Sequence, residues 1–346
     1  MTKKISVSTL FEFTKNILLS IGLRETDSEI ITESLIEAEL RGVKTHGLVR
    51  LPVYLARMKQ GGINKYPEIK VLNDLGATML LDGDAGCGQI VGKLAMQEAI
   101  KKADIFGISF VGVRNSNHFG IAAYYSLMAA RSNFIGFVFS NASPRLAPTG
   151  GASKQLGNNP ISVAFPVPGG EPIVIDMALS VVAAGKIRLA AANNEKIPLG
   201  WAIDKDGQPT TDPQEALEGF LLPIGDHKGY ALSFMVDLLC GLLTGSSFGK
   251  DVGSIDNLSL PQNEGHAFGA IKISNFMGIE EYGDKVRKFI SNLKEGKKAT
   301  GVKEILVPGE IETRYKNRQL KEGISLEPEL IEKLNEIALQ LGLSQL

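Results

Sequence analysis

The chain has 346 residues, with 37 Lys and Arg against 38 Asp and Glu and 44% apolar side chains. That is enough for a sizeable core, on the order of two domains. The near-zero charge gives no electrostatic case for nucleic acid or an anionic membrane as partner.

The two cysteines, Cys87 and Cys240, lie far apart and form no metal-ligand spacing. Free thiols in a reducing compartment are expected, and no metal site. The first residues carry no apolar signal core. The longest apolar run, Tyr230 to Leu243, is too short and too broken to span a bilayer. A cytoplasmic protein is the expectation.

Taken in order, residues 6–22 and 26–41 have helical apolar spacing, and Thr26 with Glu29 forms a capping-box pattern. The run from Arg41 to Met58 holds His46, Arg50 and Tyr54 at intervals of four. If helical from about Thr45, with Thr45 as cap, it places all three on one face. A proton-transfer group, a cation that can grip a carboxylate with two hydrogen bonds, and a phenol suit a small anionic substrate. Pro52 fits a first turn and would otherwise kink the helix. The alternative is an ordinary amphipathic helix burying Leu48, Leu51, Leu55 and Met58.

Ile69 to Leu81 reads as two strands joined at Asp74-Leu-Gly76, followed by a Gly-rich loop and a helix to about Asp104. Strand and helix then alternate. Gly107–Val113 is a strand, Arg114–His118 a polar loop, 119–132 a helix and 134–139 a strand. Pro160–Phe165 and Pro172–Ile175 are further strands, and a helix covers about 180–192. Trp201–Asp212 is a turn-rich loop, Lys228–Thr244 an apolar helix, Gly249–Glu264 a surface loop and Ala267–Ile273 a strand. Helices at about 280–295, 310–321 and 328–341 close the chain. The pattern predicts an α/β core with helical units at both ends.

The second His-bearing run, Arg114-Asn-Ser-Asn-His118, sits where a strand hands over to a helix, a position at which α/β folds collect ligands. It also reads as a helix cap with His118 packed on it. Gly86-Cys-Gly88-Gln-Ile-Val-Gly92 is a variant of the dinucleotide fingerprint. No acidic residue follows at the end of the next strand to hold a ribose, so a tight turn for close packing is the competing reading. Gly157–Pro160, Asp176–Ser180, Asp226–Tyr230 and Pro308–Glu310 are turns whose amides could meet a cofactor phosphate, or could simply cap helices.

These stretches together resemble the malate/L-lactate dehydrogenase family of the second type. The carrying residues are Arg41 to Tyr54, Asp82 to Gln89, Asn115 to Gly120, Gly157-Asn-Asn-Pro160, Asp176-Met-Ala178, Gly185-Lys-Ile-Arg188, Gly200-Trp-Ala202, Leu222-Pro223, His227-Lys-Gly-Tyr230 and Pro308-Gly-Glu310. The resemblance implies a non-Rossmann central sheet binding NAD or NADP, a homodimer, and reversible reduction of a small 2-oxo acid to its 2-hydroxy acid. Ureidoglycolate or diketogulonate oxidation and cyclic-imine reduction are the alternatives within the same family. A binding protein without activity would lack a proton-transfer residue or the cation.

By resemblance the catalytic set is His46, His118, Arg50, Tyr54 and Thr45, with either histidine as the acid/base. Cofactor contacts would fall to Ser140, Asn159, Asp176, Met177, Ala178, Leu179, Ser180, His227, Lys228, Pro308, Gly309 and Glu310. Thr45 stands where the family usually has Ser, and His227 where Gly or Pro is common. The expected division is an N-terminal helical unit for substrate and dimer contacts (1–75), a cofactor-binding core (76–305), and C-terminal helices packing back on the first unit (306–346).

Overall fold

The computed structural model describes residues 3–346. Strand β1 (Lys3–Ile5) leads to α1 (Val7–Ser20), where the Ser6 hydroxyl accepts from the Thr9 N–H at 3.1 Å. Helix α2 (Glu25–Leu40) begins one residue before Thr26, so the expected capping box does not form. Thr26 already lies inside the first turn, and Glu25 and Asp27 there supply negative charge to the helix N-terminus instead.

The helix expected from Thr45 starts later. Two 3₁₀ turns, Lys44–His46 and Leu48–Arg50, precede α3 (Leu51–Gln60). Gly47 breaks the path between the turns with extended ψ, and Pro52 lies in the first turn of α3, where its missing N–H costs nothing. Thr45 makes no cap; its hydroxyl meets His46 Nδ1 at 3.0 Å.

Strands β2 (Lys70–Leu75) and β3 (Thr78–Asp82) form the expected hairpin, and α4 (Gly88–Phe106) follows the Gly-rich loop. Then come β4 (Phe110–Ser116), α5 (Ala122–Arg131), β5 (Phe134–Ser140), β6 (Ile161–Phe165) and β7 (Ile173–Met177). The polar run 114–116 thus continues a strand rather than opening a loop. Helix α6 (Ala184–Ala192) starts four residues later than its pattern suggested. The stretch read as a loop contains β8 (Ala202–Ile203), which pairs with β9 (Phe220–Leu221) around α7 (Pro213–Glu218).

Helix α8 (His227–Asp237) runs on into a π turn at Leu238–Leu242. The chain ends with β10 (Glu264–Lys272), α9 (Ile279–Lys294), α10 (Glu310–Glu322), β11 (Ile324–Leu326) and α11 (Pro328–Gln340).

The seven-stranded sheet has the order β2-β3-β4-β10-β5-β6-β7. Only β3 and β4 are parallel; every other neighbouring pair is antiparallel. A doubly wound dinucleotide fold has a mostly parallel sheet, so this is a different architecture. Strand β10 enters between β4 and β5 from far along the chain. Its alternating side chains serve two cores. Phe268 and Ala270 join the cluster under α4 and α5, while Ala267 meets Val236 and Cys240 of α8 and its π turn.

A separate core joins α1, α2 and α3 to the chain's other end. Leu10, Ile17, Leu35, Leu48 and Tyr54 pack with Ile324, Leu326, Leu334 and Ala338, and β1 pairs antiparallel with β11. Both cysteines are buried free thiols. Among the described residues no helix is long and apolar enough to cross a membrane, and no metal-ligand cluster occurs.

Candidate active site

The turn 44–50 lies against the ends of β4 and β5, and a cavity of about 320 Å³ opens between them. Its wall includes Thr45, His46, Arg50, His118, Ser140, Asp176, Met177 and Ala178. The two imidazoles stack, with centroids 5.3 Å apart and planes at 17°.

Local hydrogen bonds fix this arrangement. The Arg50 Nε donates to the Thr45 carbonyl at 2.7 Å, folding the guanidinium back over the His46 turn. Buried Glu39 accepts from the Leu48 N–H at 2.8 Å and anchors the second turn; burial pushes its carboxyl up to about 7. Tyr54 does not line the cavity. It is fully buried behind His118, with its hydroxyl 2.7 Å from His118 Nδ1 and accepting from Gln89 Nε2 at 3.0 Å. Nδ1 is therefore engaged, and Nε2 is the ring nitrogen left for a ligand.

Both histidines are held neutral. Burial, then the charge of Arg50, lowers His46 to about 4. Burial, then His46 and Arg50, puts His118 well below its usual value. The other two histidines have different places. His266 is buried in β10, bonded through Nδ1 to Ser140 Oγ at 2.8 Å and stacked on Phe119 at 4.6 Å. His227 is exposed at the start of α8.

Arg57, one turn beyond Tyr54, is the largest fully buried side chain. It donates to the carbonyls of Gly62, Ser254, Ile255, Asn257 and Leu260 and to Asn117 Oδ1. It ties the 249–263 segment to the residue preceding His118. From that segment Gln262 accepts from the His118 N–H at 3.1 Å and holds Glu264 at 2.7 Å. Sequence reasoning passed over Arg57, Asn141, Arg145, Gln262 and Glu264. Apart from Arg57's place in the helical stripe, nothing in their local pattern marks them.

The turns expected to hold a cofactor divide into two groups. Ser140, Asp176, Met177 and Ala178 line the cavity beside the apolar side chains of Ile121, Ala122 and Pro160. Asn159 is buried behind the wall, accepting from the Ala142 N–H at 3.0 Å and donating to the Ser233 carbonyl at 2.8 Å. Leu179 and Ser180 are buried next to Ala178. His227 and Lys228 are exposed and do not line the cavity. Pro308 and Gly309 abut β7, where the Val174 N–H donates to the Pro308 carbonyl at 3.2 Å, and Glu310 pairs with Lys294 and Arg314. An apolar wall edged by Ser140, Asn158 and Asp176 next to two neutral imidazoles suits a flat, weakly polar ring such as a nicotinamide.

Gly88 explains the glycine fingerprint. A Cβ there would sit 2.1 Å from the Asn117 carbonyl oxygen and 2.7 Å from that of His118. The residue has to be Gly so that α4 can approach the His118 loop. This is the packing reading: β3 and β4, on either side of α4, are parallel, but β4 ends in Arg114-Asn-Ser116, with no acid to hold a ribose.

Two stacked imidazoles with a guanidinium beside an apolar slot, on a non-Rossmann α/β sheet, suit proton transfer to a small anionic substrate. The family model for malate/L-lactate dehydrogenases matches residues 5–335. The chain belongs to that family and is a dehydrogenase of the 2-hydroxy-acid class, a class that uses a nicotinamide cofactor. It is 41% identical to malate dehydrogenase of Pyrococcus abyssi, over 99% of this chain and 96% of the relative. It is 34% identical to ureidoglycolate dehydrogenase (NAD(+)) of Escherichia coli, over 96% and 95%. The solved sulfolactate dehydrogenase of Methanocaldococcus jannaschii superposes with a TM-score of 0.93 at 40% identity, covering 99% of this chain and 98% of that one.

Proposed function

We propose that the chain interconverts a small 2-hydroxy acid and its 2-oxo acid with NAD or NADP, using His118 as acid/base and Arg50 as carboxylate clamp. The observation that carries this is the 2.7 Å Tyr54–His118 bond behind a cavity shared with His46 and Arg50. The nicotinamide, when bound, supplies or takes the hydride. His118 Nε2 removes the hydroxyl proton on oxidation and returns it on reduction. The Tyr54 hydroxyl can face Nδ1 as donor or acceptor, so the partnership survives protonation of the ring. His46 polarises the same substrate oxygen, braced by Thr45, and Arg50 holds the carboxylate through its two terminal nitrogens.

Ser140 and Asp176 to Ala178 meet the cofactor directly in this reading, and Asn159, Leu179 and Ser180 brace them. His227, Lys228 and Pro308 to Glu310 reach the part of the cofactor distant from the ring. A second copy of the chain completes the assembly. Phe234, Leu238 and Leu242, exposed at four-residue spacing on α8 and its π turn, offer the apolar face for it. The cytoplasm suits such a metabolic enzyme. In this reading the three-part division at residues 75 and 305 puts Thr45, His46, Arg50 and Tyr54 on the first unit, and His118 with the cofactor residues on the core and the C-terminal helices.

The test is steady-state oxidation of NADH and NADPH with a panel of 2-oxo acids. His118→Ala should lose about 10²–10⁴ in kcat while still binding nucleotide. Arg50→Lys should raise KM about 10–100-fold, because a point charge replaces a two-pronged donor. An active His118→Ala enzyme moves the acid/base role to His46. An Arg50→Lys enzyme with unchanged KM removes the clamp.

A further inference from the structure

The first residue of β10, Glu264, is 3% exposed and belongs to the wall of the cavity that His118 and Arg50 share. Strand pairing puts it there, setting Glu264 opposite Ser116 of β4, two residues before His118. Just ahead of it, Arg57 and Asn117 tie down the 249–263 segment. Gln262 then bridges the two sides. Its side-chain carbonyl accepts from the His118 N–H at 3.1 Å, and its Nε2 donates to Glu264 Oε1 at 2.7 Å. The carboxyl is thereby fixed against the loop that carries the proton-transfer ring.

Among the described residues the Gln262 amide is the carboxyl's sole partner, and no ion pair reaches it. Arg57 spends both terminal nitrogens on carbonyls and Asn117 Oδ1, and its Nε is unpaired. A buried acid with one neutral donor and no paired counter-ion keeps its proton. Burial pushes Glu264 up to about 8, opposed by the charge of Arg57. Tyr54 also stands near it on α3, and His46, Arg50 and His118 share its cavity. The phenol and both imidazoles are neutral from pH 7 to 9, because burial raises the one and lowers the others. Arg145 and Asp176 line the same cavity, and Asp256 acts on Arg57 and Arg145. Behind the Leu48 turn, Glu39 titrates at about 7.

A neutral carboxyl has one O–H to donate. Oε1 already accepts from Gln262, so the proton belongs on Oε2, which has no acceptor in the protein and is not among the sealed-off polar atoms. A buried donor without an acceptor is costly until a ligand supplies one. We propose that Glu264 is a substrate-binding residue whose Oε2–H donates to an oxygen of the 2-oxo acid, beside the Arg50 grip and the His118 ring. This rests on the dehydrogenase reading above. The acceptor is a substrate oxygen because Gln262 holds the carboxyl against the His118 backbone, at the proton-transfer end of the cavity. Once ionised, the same group becomes a negative charge facing the substrate carboxylate, and binding weakens.

The experiment titrates oxamate, an unreactive 2-oxo acid analogue, into the wild type, Glu264→Gln and Glu264→Leu by calorimetry from pH 7 to 9.5, with and without NADH or NADPH. Relative to Glu264→Gln, the wild-type affinity should fall about tenfold for each pH unit above about 8. The amide of Glu264→Gln remains a neutral donor. It should bind oxamate about 2–5-fold more weakly at pH 7 and show no break near 8. Glu264→Leu has no donor and should bind about tenfold more weakly, also without the break. Glu39 and the other titrating groups are common to all three proteins and cancel in the ratio. In turnover the same pattern should appear in KM for the 2-oxo acid rather than in kcat.

Glu264→Gln keeps the size and shape of the side chain, so the test stays open if Glu264→Leu misfolds. A ratio of wild-type to Glu264→Gln affinity that is constant from pH 7 to 9.5 overturns the proposal and leaves Glu264 a packing residue. Glu264→Leu binding oxamate as tightly as the wild type at pH 7 overturns it too, as does a wild type that binds no oxamate. Failure to turn over any 2-oxo acid with either nucleotide would instead sink the dehydrogenase reading, and the oxamate titration would still decide the role of Glu264.

Discussion

Tyr54 and His118 stand 64 residues apart in sequence and share a hydrogen bond of 2.7 Å between Oη and Nδ1. The phenol is fully buried and takes a second hydrogen bond from Gln89. The His118 ring is thus oriented from behind by a group that does not line the cavity.

Tyr54→Phe keeps the packing and removes the oxygen. It should lower kcat by about 10–100-fold with little change in the 2-oxo acid KM, because orientation of the ring is lost while Arg50 remains. Stopped-flow nucleotide binding should match wild type. A normal kcat in this variant would make Tyr54 a core residue and nothing more.

The lowered pKa of His118 fixes the sign of the pH dependence. A neutral ring is the form that accepts a proton, and it prevails at every pH above the lowered value. The kcat/KM for 2-hydroxy acid oxidation should therefore stay flat from pH 8 to about 5.5. Reduction needs the protonated ring, whose fraction grows about tenfold for each unit the pH falls over that range. Its kcat/KM should rise correspondingly. A shared break near 6.5 in both directions would mean that a histidine with an ordinary pKa carries the proton.

Arg57→Met removes the donor for five carbonyls and Asn117 Oδ1. The cost should be about 3–5 kcal/mol of stability, read from a denaturant melt. Limited proteolysis should cut first within 249–263, the segment Arg57 holds. A variant as stable as wild type, with that segment still protected, would show that the network is dispensable.

Gly88→Ala puts a methyl group against the carbonyls of Asn117 and His118. Destabilisation of about 1–3 kcal/mol is expected, with activity falling because His118 shifts. Nucleotide binding per folded molecule should persist. Loss of binding in a fully stable protein would restore the phosphate-loop reading of this glycine run.

The run from Thr45 to Tyr54 announced its three polar residues through spacing alone, and the missing ribose acid after Gly92 already argued against a Rossmann sheet. Most helix positions were legible from a 3.6-residue amphipathic period; α8 was legible only as an apolar run, and the short α7 was not foreseen. Where helices begin was less legible. Whether a turn becomes α or 3₁₀ near Gly47 depends on Glu39, a residue of another helix, accepting from Leu48.

What the sequence determined by itself is whatever depends on neighbours within a few residues: the helical stripes, the glycine turns, the His46–Arg50 spacing. The tertiary structure decided what depends on distant segments meeting. It set β10 between β4 and β5, put Tyr54 behind His118, and brought Arg145 and Arg188 into the cavity of Arg50. A side chain's local pattern reports which face it occupies. Burial, charge and proton affinity come from the groups facing it, and those are chosen only when the sheet closes.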